Sequence, residues 1–212
     1  MEHYVITIGR EYGSRGMEIG LKLSQSLNIP VYYKDLAKMA AKRMGLDENV
    51  ILDVDETVSV NLASVFSREG SKTKSLQDQL FDCEKTIMQE IVLKESCIMV
   101  GHCASYILKQ HPHLLNVFVY APYSVRFERI QEEHEDLSTD EVEMLIDTID
   151  KNRHNYYKHY TKQNRGSRVN RQIQIDSSIL GVDGTAKLIE EAVKMRFQLE
   201  GKEEGKDEDK DN

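Results

Sequence analysis

The segment Tyr4-Val5-Ile6-Thr7-Ile8 runs into Gly9-Arg10-Glu11-Tyr12-Gly13-Ser14-Arg15-Gly16 and then into Ile19, Leu23 and Leu27 at a spacing of four. A short β-branched run, a glycine-rich turn and a helical apolar period define, in that order, a strand–loop–helix unit. Glycines let backbone amides converge on one point, and the helix N-terminus adds about half a positive charge, so this junction suits a phosphate group. The same residues also suit a plain strand-to-helix turn. From this segment alone both readings stand.

The alternation continues along the chain. Residues 29–33, 97–100, 116–121 and 172–175 read as further strands, the last nearer a sheet edge because it alternates polar and apolar side chains. Helices are expected over 34–44, 58–68, 75–94, 123–135, 139–162 and 183–199, with Gly45 closing the second helix of the chain and Asp183 capping the last. The segment 69–74 has loop composition. Five strands separated by helices predict an α/β fold, a parallel sheet covered on both faces. Ligands in such sheets bind beyond the carboxyl ends of the strands. The places to inspect are therefore those after Ile8, Tyr33, Val100 and Ala121.

Composition narrows the function classes. The 212 residues are 40% hydrophobic and 30% charged, enough apolar material for a core. Apolar runs such as Cys97-Ile98-Met99-Val100 fall far short of the roughly 20 residues that span a bilayer, so no membrane association is expected. The N-terminus has neither a basic region nor a long apolar stretch, and no secretory leader is expected. Cys83, Cys97 and Cys103 form no Cys-x-x-Cys pair, which fits reduced thiols and a cytoplasmic location. The net charge is -8, and residues 200–212 carry seven acids, three lysines and no apolar side chain, an expected disordered tail. The mildly acidic body argues against nucleic-acid binding, and the sequence identifies no protein partner.

Several side chains suit phosphate chemistry. Arg126 and Arg129 are three apart on one helix face, as are Asp150 and Arg153, and Arg165, Arg168 and Arg171 place three cations in seven residues beside Gly166. The guanidinium fork bonds phosphate oxygens in pairs and stays charged. Each also has a plain reading: Arg126 and Arg129 as partners of Glu128, Glu132 or Glu133, Asp150 and Arg153 as a surface pair, the later arginines as surface charge. Tyr156, Tyr157 and Tyr160 fit core packing better than base stacking. His111 and His113 have no third metal ligand near them in sequence and read as a solvated turn, and no metal-binding side chain is assigned.

The segments 9–14, 32–33, 101–108, 121–126, Asp150-x-x-Arg153 with Tyr156-Tyr157, and Ile175-Asp176-Ser177-Ser178 occur in an order that resembles the cytidylate kinase-like family. That family is a branch of the nucleoside monophosphate kinases within the P-loop fold, and the resemblance covers about residues 4–196. It implies a P-loop nucleoside-monophosphate-kinase-like α/β domain over 1–199, with a five-stranded parallel sheet, a helical acceptor insert at about 34–95 and a lid at about 153–171. It implies ATP and Mg²⁺ as cofactors, nucleotides as small-molecule partners and CMP or dCMP as acceptor. Gly9, Arg10, Gly13, Ser14, Arg15 and Gly16 would hold the donor phosphates. Arg126, Asp150 and Arg153 would be catalytic, with His102, Arg165 and Arg168 on the acceptor or lid side. The chain departs from the family pattern at Arg15, Met17, Lys34, His102 and Ser105, all near nucleotide-contacting positions. A nucleotide-binding protein without kinase activity and a kinase for a different small acceptor are the alternatives.

Overall fold

Four of the five strands expose almost nothing but apolar side chains to their flanking layers, so each needs cover on both faces. In the computed structural model, which describes residues 2–46, 75–169 and 171–199, that cover comes from helices on both sides of one sheet. The strands are β1 (Val5–Arg10), β2 (Val31–Tyr32), β3 (Cys97–Val100), β4 (Leu114–Tyr120) and β5 (Ile173–Asp176). All are parallel, in the order β2-β3-β1-β4-β5, with β5 at an edge. The register sets Ile8 beside Val100 on one neighbour and Val117 on the other. The expected helix over 58–68, the segment 69–74 and the acidic tail lie outside the described residues.

The helices are α1 (Gly16–Leu27), α2 (Lys34–Met44), α3 (Leu76–Val92), α4 (Ala104–Ile107), α5 (Tyr123–Glu133), α6 (Thr139–Thr161) and α7 (Ser177–Phe197). Alternation along β1 sends Ile6 and Ile8 into a core layer with Ile19 and Leu23 of α1 and Ile189 and Val193 of α7. Val5 goes to the opposite layer, with Leu36 and Ala40 of α2 and Ile87, Met88 and Ile91 of α3. Both layers are nearly free of solvent. Each buried Ile or Leu contributes on the order of 1.5–3 kcal/mol, so the two layers fix the sheet between their helices.

Two expectations need correction. The helix expected over 183–199 is present, but a helical turn from Ser177 precedes it: Asp176 caps that turn, accepting a hydrogen bond from the Ser178 amide at 2.8 Å. Asp183 instead pairs with Lys22 of α1 at 2.9 Å on the surface. The helical path is interrupted at Gly181 (φ 64, ψ -170), which makes the first turn read as loop in sequence. The short α4 was also not expected, because after Gly101 (φ 79) its entry is made by two residues that seldom turn that way, His102 and Cys103, with φ 50 and 57.

The crevice follows from strand order. The connection after β1 leads over β3 to β2, whereas β4 lies on the other side of β1, so the chain reverses direction around the carboxyl end of β1. The loops after β1, β3 and β4 meet there.

A candidate active site at the carboxyl end of the sheet

The loop from Glu11 to Arg15 is held from outside by its carbonyls. Arg126 of α5 donates to the Tyr12 carbonyl at 3.0 Å, Arg129 to the Gly13 carbonyl at 3.1 Å, and Ser177 Oγ to the Ser14 carbonyl at 2.7 Å. Arg129 also donates to Ser177 Oγ at 3.2 Å, which ties α5 to the start of α7. Across a trans peptide the N–H points opposite to the C=O. The amides of Gly13, Ser14 and Arg15 therefore point away from those three partners, and that of Ser14 is donated to the Glu11 carbonyl at 3.4 Å. Gly13 has φ 76, and a Cβ there would stand 3.1 Å from the Arg126 carbonyl, so both conformation and space call for glycine. Arg15 adopts φ 63 with a side chain in place. A turn of this kind can present backbone amides to an anion.

Arg126 is 8% exposed and fully engaged. Besides Tyr12 it reaches the Ala121 carbonyl at 3.1 Å, Asp150 Oδ2 at 2.8 Å and Glu11 Oε2 at 3.3 Å. Asp150 Oδ1 accepts the Tyr12 amide at 3.0 Å and lies 3.3 Å from Arg165. One carboxylate of α6 thus receives a loop amide, an arginine of α5 and an arginine from the segment before β5. Burial pushes the Glu11 carboxyl above its ordinary range, with Arg126 pulling the other way.

The remaining expected site residues are distributed around this centre. Arg153 is buried, its guanidinium 5.7 Å from the centre of the Tyr12 ring. Arg10 is buried and stacks over Tyr33 at 4.9 Å. Arg15 turns to the surface, paired with Glu18 at 2.9 Å and with Glu133. His102 is buried beside Glu84 of α3, Nδ1 to Oε2 at 3.4 Å, with Tyr33 edge-on at 6.0 Å. Arg168 is exposed and is not drawn into the centre. Gly9 and Gly16 flank the loop against Arg171 and Arg10 respectively. Sequence reading left Arg129 open between phosphate chemistry and pairing with nearby acids, and named Ser177 only within the segment 175–178 without a role; both contact the loop across long stretches of chain. Tyr156 and Tyr160 pack with Phe81 of α3, as core packing predicted.

Beneath the loop lies a small cavity of about 30 Å³ between the ends of β1 and β3, reached by Gly9, Gly101, Ser105, Arg153, Arg165 and Arg171. A wider depression of about 490 Å³ opens beside it, bordered by Glu11, Phe118, Asp150 and Gly166. Among the described residues no three His, Cys, Asp or Glu side chains gather to hold a metal ion. Ser14 Oγ is buried and donates to the Glu11 carbonyl at 2.9 Å, and the Glu18 carboxylate is taken by Arg15. The side chains thus do not form a cation cage of their own; Mg²⁺ characteristically binds through substrate phosphates, waters and one or two carboxylates, and Glu11 and Asp150 are those nearest the loop.

This chain belongs to the cytidylate kinase-like family, whose model matches residues 5–179. No curated protein matches it. Among solved structures, an uncharacterized protein from Eubacterium ventriosum is 22% identical with a TM-score of 0.69, over 90% of this chain and 98% of that one. Shikimate kinase from Bacteroides thetaiotaomicron is 13% identical with a TM-score of 0.51, over 90% and 98%. TT1252 from Thermus thermophilus is 16% identical with a TM-score of 0.51, over 95% and 100%. The fold is that of the P-loop kinases of small molecules, a five-stranded parallel sheet flanked by helices. Family and fold together support a kinase acting on a nucleotide or another small molecule. No described helix is long and apolar enough to cross a membrane.

Proposed function

We propose that this chain transfers the terminal phosphoryl group of ATP·Mg²⁺ to a nucleoside monophosphate, with CMP or dCMP as the acceptor. The observation that carries this reading is the loop from Glu11 to Arg15: three successive carbonyls are held outward by Arg126, Arg129 and Ser177, which turns the amides to the side where phosphate would lie. Phosphoryl transfer asks little covalent chemistry of a protein and much positioning and positive charge. The loop amides and the N-terminus of α1 would hold the donor. Arg153 and Arg165, which line the cavity, would neutralise the transferred group; Arg126, spent on two carbonyls and two carboxylates, would act by holding the loop, with Asp150 fixing Arg126 and Arg165. Mg²⁺, bound with ATP, would offset charge on the donor phosphates. In this proposal the acceptor side is formed by about 34–95 and the lid by about 153–171, with Arg168 free to fold inward.

One observation favours a second reading, nucleotide binding without transfer. The loop carries no lysine, and its one arginine within reach of the helix start, Arg15, is already paired with Glu18 and Glu133. Melting temperature and ADP release separate the two. A ligand at 100 times its Kd stabilises by about 2.7 kcal/mol, a shift of roughly 5–10 °C for a domain of this size. Shifts with ATP·Mg²⁺ and with CMP, together with ADP formed only when both are present, are expected. Shifts without ADP would assign the second reading, and no shift with any nucleotide would remove both.

A further inference from the structure

The cavity between the ends of β1 and β3 measures about 30 Å³, room for a water or two. A site for a small-molecule ligand takes roughly 300 Å³ or more. On one side its wall is fixed: Gly9 and Gly101 follow directly on Ile8 and Val100, which are paired in register inside the sheet. The opposite wall is the C-terminal half of α6, which contributes Arg153, Tyr156 and Tyr157. Arg165 and Arg171 come from the segment that follows α6 and move with its end. For the cavity to widen, that half of α6 has to withdraw.

A small group of side chains fastens it to α3. The Tyr160 ring lies flat on Phe81, centroids 3.8 Å apart and planes within 7°, and Tyr156 meets Phe81 edge-on at 6.2 Å. Tyr160 Oη donates to Asp78 Oδ1 at 3.2 Å, and His159 Nε2 lies 3.7 Å from the same oxygen. Phe81, Tyr156, Tyr160 and Cys103 form a cluster separate from the two core layers. The two helices are anchored elsewhere, α3 on α2 and α4, and α6 on α5. Asp78 and His159 remain 38% and 62% exposed, so the contact is wet at its rim. A contact of this kind, a satellite of the core, can open while both helices stay packed on their other partners. We propose that Phe81, Tyr160 and Asp78 form a clasp between α3 and α6 that keeps the cavity narrow, and that a ligand enters when this clasp opens. That the entering ligand is a nucleotide rests on the reading in the preceding subsection; the clasp itself does not. The fraction of molecules with the clasp open then scales both the rate of entry and the apparent affinity.

The test uses the whole protein and two readouts. Hydrogen exchange followed by mass spectrometry reports opening of 153–161 without any ligand. The chain has no tryptophan, so entry is followed by stopped flow with fluorescent analogues of ATP and CMP. Phe81→Ala removes the stack, and amides of 153–161 are expected to exchange about tenfold faster while those of β1 do not change. Entry of the analogues should quicken about threefold or more. Tyr160→Phe keeps the rings and removes only the bond to Asp78; it should shift both readouts in the same direction by less, and it decides the matter if Phe81→Ala fails to fold. Val193→Ala, which weakens the opposite core layer, is expected to shift neither. Unchanged exchange in 153–161 would overturn the clasp, as would equal acceleration by Val193→Ala. Faster exchange with unchanged entry would overturn its control of access. The two readings fail separately. Clasp-dependent exchange in a protein that binds neither analogue would leave the fastening standing and remove the nucleotide; ADP formed from ATP and CMP at unchanged exchange and entry in both clasp variants would do the reverse.

Discussion

Arg126 shows how much a single side chain can hold. Its guanidinium satisfies two carbonyls and meets two carboxylates in a space almost closed to water. A purely catalytic role for Arg126 would have Arg126→Ala lower turnover and spare the fold. The structure changes half of that. Removal leaves Asp150 and Glu11 short of a cation and two carbonyls short of a donor, at a cost of about 2–4 kcal/mol. A fall in urea or thermal midpoint is therefore expected beside a turnover loss well above tenfold; a variant with wild-type stability would mean that Asp150 and Glu11 find water instead. At this scale the motif Asp150-x-x-Arg153 and the position of Arg126 were legible, because spacing along one helix survives in sequence. The partners of Arg129 and Ser177 were not, since Ser177 meets Ser14 across 163 residues of chain. Nothing local marks such a partner.

Elements were legible where periodicity is strong and obscure where one residue changes the path. The strands and the helices α1, α2, α3, α5 and α6 follow from apolar spacing, and their ends differ from expectation by a few residues. The turn that opens α7 did not follow, because Gly181 separates it from the helix expected over 183–199. This gives a direct comparison. Asp176→Ala removes a cap and should destabilise by about 0.5–2 kcal/mol. Asp183→Ala removes an exposed pair with Lys22 and should cost about 1 kcal/mol at most. Chemical denaturation of the two variants under one set of conditions measures the difference, and the reverse order would return the cap to Asp183. Ser177, one residue into this helix, carries the hydroxyl that holds the loop, so the correct start of α7 is also part of the site.

At the scale of the molecule, strand order and the alternation along β1 turn two core layers into one crevice, and sequence reading reached that point from the alternation of five strands with helices. What it could not see is how charge is distributed once the chain is folded. Arg15, Arg126 and Arg165 all face acids near the loop, Asp150 serving two of them, and the chain as a whole carries -8. Pairing of this kind offsets the charge of these three arginines, and the net negative charge of the chain opposes long-range attraction of an anion. A nucleotide approaching the crevice is therefore not drawn in from a distance. Its association rate should sit in the ordinary range for unsteered encounters, and stopped-flow binding of a fluorescent ATP analogue should change by less than about threefold between 20 and 200 mM salt. A steep fall with salt would show that the mouth of the crevice presents an unbalanced positive field. The molecule meets its ligand by unguided collision and recognises it only at contact.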